Sequence, residues 1–189
     1  MVNKIDEAFK ATPRINFLRT ENKIQYEIDA PLSIGYGQTN SQPSTVRRML
    51  QWLDPQSGDN VLDVGSGSGW TTALLAHLIG PTSTVYAVEK IADLMKFGEE
   101  NCQRMNVRNV LFFEAGDVYG LPDLAPYDRI LVSAATTELS IVLSILLAQL
   151  KIGGRIVIPS RTIIHVIDKV TNDDYSHKEH PGYVFVPLI

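Results

Sequence analysis

Short β-branched segments alternate with longer amphipathic segments through the middle of this chain. The short segments are typical of buried strands, and they lie at residues 60–64, 84–88, 110–113, 128–133 and 155–159. Helical patterns follow the first, second and fourth of them, at residues 69–78, 91–105 and 140–150. Because strands joined by crossover helices run parallel, this alternation predicts a doubly wound, Rossmann-like α/β sheet.

The pattern changes after Pro159. Two further apolar runs, 163–170 and 183–187, flank a polar segment that is long enough for a hairpin and too short for a packed crossover helix. These runs predict two antiparallel C-terminal strands. The predicted fold is therefore a mostly parallel seven-stranded sheet with an antiparallel C-terminal hairpin.

The composition is that of an ordinary globular protein, with 44% apolar and 20% charged residues. The formal net charge of −4 argues against nucleic-acid binding as the main purpose. No segment reaches the roughly 18 to 20 consecutive apolar residues of a membrane span, and the N-terminus lacks the apolar core of a signal peptide. Cys102 is the only cysteine, so no intrachain disulfide can form and a reducing compartment, the cytoplasm, is expected.

A glycine-rich turn joins the first predicted strand to the helix that follows, in the sequence Val61-Leu-Asp-Val-Gly-Ser-Gly-Ser-Gly-Trp70. Such a turn lets backbone amides approach a ligand closely at the carboxyl edge of a sheet. Its glycines, Gly65, Gly67 and Gly69, have the spacing G-x-G-x-G, whereas a dinucleotide fingerprint requires G-x-G-x-x-G. This spacing after an acidic strand residue, Asp63, matches instead the S-adenosylmethionine turn of class I methyltransferases.

Acidic residues accompany three successive predicted strands. Asp63 can hold the amino group of a methionine moiety or lie near its sulfonium end. Glu89 ends the second strand, where two acceptor oxygens can bind both ribose hydroxyls, and Asp117 follows Gly116 after the third strand, within reach of an adenine amino group. One solvated acid in a loop is ordinary. Three of them at neighbouring strand ends predict an S-adenosylmethionine site.

Six stretches of the chain resemble the protein-L-isoaspartate O-methyltransferases, a family of class I S-adenosylmethionine-dependent methyltransferases. The first stretch reads PLSIGYGQTNSQP and the last YVFVPL, and these two are much more particular to the family than the glycine-rich turn is. The six stretches extend over nearly the whole chain and lie at residues 31–43, 61–69, 115–117, 125–135, 150–159 and 183–188.

The resemblance implies the class I methyltransferase fold in one domain, 1–189, with three parts. Residues 1–58 provide an N-terminal arm, the active-site loop and a covering helix that begins near Ser44. Residues 59–159 form the cofactor-binding α/β core, and residues 160–189 form the C-terminal strands.

The resemblance also implies an activity, which is methyl transfer from S-adenosylmethionine to the free α-carboxylate of L-isoaspartyl residues, and of D-aspartyl residues as a further acceptor, in damaged proteins or peptides. The ester collapses to a succinimide that reopens partly as normal aspartate, and the cofactor leaves as S-adenosyl-L-homocysteine. By this resemblance the loop 38–41 lies over the cofactor's methyl group, with Ser41 as the active-site serine and Thr39 beside it. The expected cofactor-binding residues are Gln38, Asp63, Gly65, Ser66, Gly67, Gly69, Glu89, Lys90, Gly116 and Asp117.

The residue types of the loop suit this chemistry. A carboxylate with a pKa of about 4 is already anionic at pH 7, so no general base is required and the protein has to orient it. The hydroxyls of Thr39 and Ser41 can hold one carboxylate oxygen and leave the other free to attack. The family usually has Ile where this chain has Asn40, and an amide at that position can reorient the loop or contact the acceptor.

Other interpretations fit the same residues. A methyltransferase of this fold can use another carboxylate, small-molecule or peptide acceptor, and a non-catalytic homologue can bind the cofactor and act through partners. Trp70 can line the methionine pocket or pack the helix on the sheet. His177 and His180 lie in a predicted polar loop with no third ligand at zinc-like spacing, so no metal site is predicted. The oligomeric state is not determined by the sequence.

Overall fold

The computed structural model describes residues 4–189, which form helices and strands close to the predicted ones. The five α-helices are α1 (Lys4–Ala11), α2 (Pro43–Leu53), α3 (Trp70–Ile79), α4 (Ala92–Arg104) and α5 (Leu139–Ala148). The nine strands are β1 (Leu32–Gly35), β2 (Gln38–Asn40), β3 (Val61–Val64), β4 (Val85–Glu89), β5 (Val110–Glu114), β6 (Tyr127–Val132), β7 (Leu150–Ser160), β8 (Ile163–Lys169) and β9 (Tyr175–Pro181). Helices α2 to α5 lie within two residues of their predicted bounds, and α1 adds a helix to the N-terminal arm.

Seven strands form one sheet in the order β5-β4-β3-β6-β7-β8-β9. The first five strands in this order, from β5 through β4, β3 and β6 to β7, are mutually parallel. Strand β8 is antiparallel to β7, and β9 is antiparallel to β8. The prediction of a mostly parallel seven-stranded sheet with an antiparallel C-terminal end is confirmed. The chain adds strands on one side of β3 and then on the other, so a crevice forms between the carboxyl ends of β3 and β6, where such sheets bind ligands.

The central strand β3 is buried along its whole length, as a parallel strand covered on both faces should be. On one face, residues of α1, α2 and α3 pack against the sheet, and Cys102 of α4 is buried in the same cluster. On the other face, α5 packs through Val142, Leu143 and Leu146. The strong burial of β3 places the residues that follow it, the glycine-rich turn, on a rigid support.

The last strand lies earlier in the chain than predicted. The polar segment Tyr175–Pro181 forms β9, whereas the apolar run 183–187 makes only an isolated bridge. Because β9 is an edge strand with mostly exposed side chains, its pairing with β8 leaves no apolar alternation in the sequence to reveal it. The run 183–187 instead extends past the end of β6, where the carbonyl of Val186 accepts from the amide of Ala135 at 2.9 Å.

Helix α4 packs directly on the glycine-rich turn through Gly98. A Cβ atom at this position would lie 2.9 Å from the carbonyl oxygen of Gly67 and 3.1 Å from the amide nitrogen of Gly69. Both contacts are with backbone atoms, which have no rotamer to change, so a side chain at position 98 would force the helix or the turn to move.

We expect Gly98→Ala to lower the free energy of unfolding by about 1 to 3 kcal/mol, the usual cost of overpacking, even though Ala is favoured over Gly in helices by about 1 kcal/mol. Urea unfolding followed by circular dichroism measures this change. The control is Glu100→Ala, which alters an exposed position of the same helix. An equal or higher stability of Gly98→Ala would show that the contact is not tight.

Candidate functional site

A cavity of about 260 Å³ lies at the carboxyl edge of the sheet, around the turn that follows β3; we name it the turn cavity. Its walls come from the ends of β3, β4 and β5, from the β1–β2 hairpin and from the C-terminal residues 186–189. Seven of the predicted cofactor-binding residues line it, namely Gln38, Gly65, Gly67, Glu89, Lys90, Gly116 and Asp117. The fold thus gathers residues from four separate segments at the edge where the strand ends predict a ligand.

The glycine-rich turn presents bare backbone to this cavity. Gly65 and Gly67 have φ angles of +80° and +52°, a region that side-chain-bearing residues rarely adopt. A Cβ on Gly67 would also lie 3.1 Å from Cδ1 of Ile34, on the opposite wall. Glycine is therefore favoured at both positions by the backbone conformation, and at position 67 also by the short distance to Ile34.

Glu89 is the buried acid of the turn cavity, with 6% of its surface exposed. Its Oε2 accepts a hydrogen bond from the amide of Gly67 at 2.8 Å, and its Oε1 accepts one from the amide of Ile91 at 3.0 Å. These bonds fix the carboxylate while each oxygen retains a lone pair for a ligand. Two acceptor oxygens held side by side fit a vicinal diol such as that of a ribose, so the cavity suits the nucleoside of S-adenosylmethionine.

Three predicted cofactor-binding residues, Asp63, Ser66 and Gly69, do not line the turn cavity. Gly69 lies at the N-cap of α3 with a φ of +80°. The buried hydroxyl of Ser66 is without a hydrogen-bond partner among residues 4–189. The three residues belong to the turn and its support, and the structure places them behind the wall rather than in it.

Asp63 does not line the turn cavity, and its predicted contact with the methionine moiety stays a prediction. It is fully buried, its Oδ2 accepts from the hydroxyl of Thr72 at 2.7 Å, and its Oδ1 accepts from the hydroxyl of Ser133 at 3.0 Å. Ser133 lines the turn cavity. Asp63 therefore acts on the cavity through Ser133, whose hydroxyl it orients.

Burial raises the pKa of Asp63 to about 6, against its ordinary value of 3.8, and the hydrogen bonds from Thr72 and Ser133 only partly offset this. The folded state thus holds this proton more tightly than the unfolded state does. Its contribution to stability is largest below pH 3.8 and declines as the pH rises to about 6. Above that pH the protein bears the cost of a buried charge.

We expect Asp63→Asn to remove that cost. An amide keeps the shape and stays neutral, so the stability of the variant relative to the native protein should rise by about 2 to 3 kcal/mol between pH 4 and pH 8. Urea unfolding of both proteins at the two pH values measures this, because other titrating groups cancel in the comparison. A difference that does not change with pH would refute the raised pKa.

A second cavity, of about 570 Å³, lies next to the active-site loop; we name it the loop groove. Ser41 and Ser44 line one side of it, and residues 182–186 line the other. Thr39 and Val186 line both the loop groove and the turn cavity, so the two spaces meet there. Within the described chain, 4–189, the hydroxyls of Thr39 and Ser41 have no protein partner, and both are free to bind a ligand.

A buried arginine that the sequence analysis did not identify holds the active-site loop in place. Arg14 is 5% exposed, and its guanidinium donates to the carbonyls of Ile28 (3.0 Å), Ala30 (2.8 Å), Asn40 (3.0 Å) and Ser41 (3.0 Å). Burial lowers the pKa of Arg14 to about 10, so it remains charged at neutral pH. A cation surrounded by carbonyl dipoles fixes the backbone that carries Ser41.

Asn40 points into the protein, away from the position in which it would contact an acceptor. It is 4% exposed; its Oδ1 accepts from Nε of Arg14 at 2.7 Å, and its Nδ2 donates to the hydroxyl of Ser68 at 3.0 Å. Asn40 therefore links three parts of the site, the N-terminal arm, the active-site loop and the glycine-rich turn. The side-chain amide of Asn40 is thus used inside the protein, by Arg14 and Ser68.

The structure also shows the surroundings of Trp70, His177 and His180, for which the sequence allows more than one interpretation. Trp70 is buried and packs the start of α3, with its Nε1 donating to the carbonyl of Thr12 at 3.0 Å; it does not line the turn cavity. His177 and His180 lie on β9 and not in a loop. The ring of His180 stacks on Trp52, with centroids 3.9 Å apart.

Comparison with known proteins identifies relatives over the full sequence. The family model described as Protein-L-isoaspartate(D-aspartate) O-methyltransferase (PCMT) matches residues 1–189. A protein-L-isoaspartate O-methyltransferase of Aeropyrum pernix is 43% identical over 191 residues, covering 98% of this chain and 72% of the relative. That of Methanopyrus kandleri is 38% identical over 192 residues, covering 99% of this chain and 84% of the relative.

Solved structures share the fold. One described as a protein-L-isoaspartate O-methyltransferase aligns with a TM-score of 0.88 and 26% identity over 98% of this chain, which spans 61% of that structure's chain. A Plasmodium falciparum structure in complex with S-adenosyl-L-homocysteine aligns with a TM-score of 0.86 and 23% identity, covering 100% of this chain and 91% of its own. The described residues contain no helix that is long and apolar enough to cross a membrane.

Proposed function

This chain belongs to the protein-L-isoaspartate(D-aspartate) O-methyltransferase family, and on that premise we propose that it methylates the free carboxylate of L-isoaspartyl residues, and of D-aspartyl residues, in proteins or peptides. The observation that carries the proposal is the meeting of the turn cavity and the loop groove at Thr39. A cofactor in the first space and a peptide carboxylate in the second would face each other across that residue.

The turn cavity would hold S-adenosylmethionine, which would supply a methyl group activated on a sulfonium. The bare backbone of Gly65 and Gly67 would let it approach the turn, and Glu89 would accept hydrogen bonds from its ribose. Gly116 and Asp117, which follow β5 and line the cavity, would hold the adenine. Gln38 and Lys90 complete the walls of the same cavity.

The loop groove orients the acceptor carboxylate. An isoaspartyl carboxylate is anionic at pH 7, so the protein needs no general base and has to align one oxygen with the methyl group. The unpartnered hydroxyls of Thr39 and Ser41 donate to the other oxygen. Since Arg14 donates to the carbonyls of Asn40 and Ser41, the backbone next to these hydroxyls is held in place before the acceptor binds.

We expect Ser41→Ala to reduce kcat/KM for an isoaspartyl peptide by about 10- to 100-fold, the value of one hydrogen bond to a charged group. Initial rates of peptide methylation measure this. Ser44→Ala is the matched control, because Ser44 lines the same groove but is exposed and lies on α2 instead of the loop, so its removal should change the rate by less than about twofold. If Ser41→Ala retains the native rate, the role given to Ser41 is wrong.

Isoaspartyl proteins and peptides are the expected partners, and the methyl ester formed on them collapses to a succinimide that reopens partly as aspartate. The net charge of −4 does not favour nucleic acid as a partner. Cys102, the sole cysteine, is buried, which suits the reducing cytoplasm that we expect for this enzyme.

A further inference from the structure

Two histidines and a glutamate come together on the β8–β9 edge of the sheet, and none of them lines the turn cavity or the loop groove. The group consists of His165 on β8 with His177 and Glu179 on β9. Its donor atoms all lie within 4.8 Å of one another. Among residues 4–189, no other trio of His, Cys, Asp or Glu side chains meets this condition.

Strand geometry brings the three side chains to one face. His177 and Glu179 are two residues apart on β9, so they point to the same side of the sheet. His165 lies directly opposite Glu179 in the antiparallel register, and His177 lies opposite Ile167, two residues further along β8. Backbone pairing therefore fixes the trio, and no flexible loop is needed to assemble it.

The separations of the donor atoms are close to those of a tetrahedral metal site. His165 Nδ1 is 2.8 Å from His177 Nε2, and Glu179 Oε1 is 3.6 Å from the first nitrogen and 3.8 Å from the second. Ligands about 2.05 Å from a tetrahedral Zn²⁺ lie about 3.3 Å apart. Shifts of about 0.5 Å, within the reach of side-chain rotation, would bring the three atoms to that spacing.

Burial and access are divided between the three groups in a way that suits metal binding. The His165 side chain is 5% exposed, while those of His177 and Glu179 are 33% and 57% exposed, so an ion can enter from solvent.

We propose that His165, His177 and Glu179 form a binding site for a divalent transition-metal ion of the Zn²⁺ type, with a fourth position open to water. Two imidazoles and one carboxylate are a ligand set that Zn²⁺ uses in open sites. A sequence pattern does not reveal this site, because His165 lies within an apolar strand and its two partners lie in a polar segment.

A bound ion would connect β9, an edge strand, to β8 by three side-chain ligands. β9 leads directly into residues 182–189, of which 182–186 line the loop groove and 186–189 line the turn cavity. Metal binding should therefore reduce the local separation of β9 from β8, close to the candidate active site. The ion itself would not enter the turn cavity or the loop groove.

Isothermal titration of the full, tag-free chain with ZnCl₂ tests the proposal. We expect one ion per chain. Removing a direct ligand should cost more than the roughly 10- to 100-fold in affinity that is typical of an outer partner, so His177→Ala should weaken binding by more than about 100-fold and Glu179→Gln by at least about tenfold. Hydrogen exchange of the β9 amides should slow on addition of Zn²⁺ in the native protein alone.

The matched control is His180→Ala, which removes a histidine from the opposite face of the same strand and should leave Zn²⁺ binding unchanged. Circular dichroism checks that each variant is folded. If His177→Ala fails to fold, the exposed Glu179→Gln decides the question. Absence of saturable binding to the native chain, or equal affinity in the native protein and the folded ligand variants, would overturn the site and leave an imidazole–imidazole hydrogen bond in its place.

Discussion

Glu89→Gln is expected to weaken binding of S-adenosyl-L-homocysteine by about 100-fold or more. Hydrogen bonds to a charged acceptor contribute about 1.5 to 3 kcal/mol each, and the proposed ribose contact uses two of them. The amide substitution also points an N–H₂ group at either the amide of Gly67 or that of Ile91, both of which need an acceptor. The turn cavity would thus lose the negative charge of Glu89 and one of the two hydrogen bonds that this side chain accepts from backbone amides.

Isothermal titration with S-adenosyl-L-homocysteine measures the effect. Glu114→Gln is the matched control, since Glu114 is the residue opposite Glu89 on β5, is exposed, and does not line the turn cavity. The affinity of Glu114→Gln should remain within about twofold of the native value. A twofold change corresponds to less than about 0.5 kcal/mol, which is the usual effect of a substitution at an exposed position. Equal affinities of the native protein and Glu89→Gln would remove Glu89 from the proposed cofactor site.

Arg14→Ala is expected to lower the free energy of unfolding by at least about 3 kcal/mol, because it leaves several buried acceptors without donors at about 1 to 3 kcal/mol each. The guanidinium donates to four backbone carbonyls and to the side chain of Asn40. Activity should fall further than stability alone explains, because the backbone of the active-site loop loses its support. Urea unfolding and methylation rates at a temperature where the variant is folded measure the two effects.

Two further variants separate this network from a general effect of removing charge. Arg108→Ala deletes an exposed arginine and should change stability by less than about 0.5 kcal/mol. Asn40→Ile introduces the residue that the family resemblance leads us to expect, but it removes one acceptor of Arg14 and the donor to Ser68, so it should destabilise this chain by about 2 kcal/mol. A neutral Asn40→Ile would mean that the network does not hold the loop.

The α/β core could be predicted from the sequence because it is encoded locally. Buried parallel strands are continuous β-branched runs, and the amphipathic helices between them have a different period, so the sequence predicts β3 to β6 and α3 to α5 close to their observed bounds. For β7 the sequence predicts 155–159, whereas the strand begins five residues earlier, at Leu150. The edge strand β9 could not be found in this way. Its pairing depends on backbone hydrogen bonds to β8, and its exposed polar residues carry no periodic signal.

The residues of the candidate site also differ in whether the sequence reveals them. Residues at strand ends, such as Glu89 and Asp117, were identifiable because parallel strands bring their carboxyl ends together. Arg14 was not identifiable, because its partners are backbone carbonyls distant in sequence, which leave no motif. Asp63 and Asn40 were recognised as important, but the direction in which each side chain points depends on tertiary packing that a sequence pattern does not contain.

The most direct test of the proposed function compares two peptides that differ only in one linkage. The purified chain is incubated with S-adenosylmethionine labelled in its methyl group and with either an isoaspartyl peptide or its normal aspartyl twin. The account predicts labelled ester on the isoaspartyl peptide, base-labile and absent from the twin, at a rate that Ser41→Ala reduces. Cofactor binding without methylation of the isoaspartyl peptide, or equal labelling of both peptides, would contradict it.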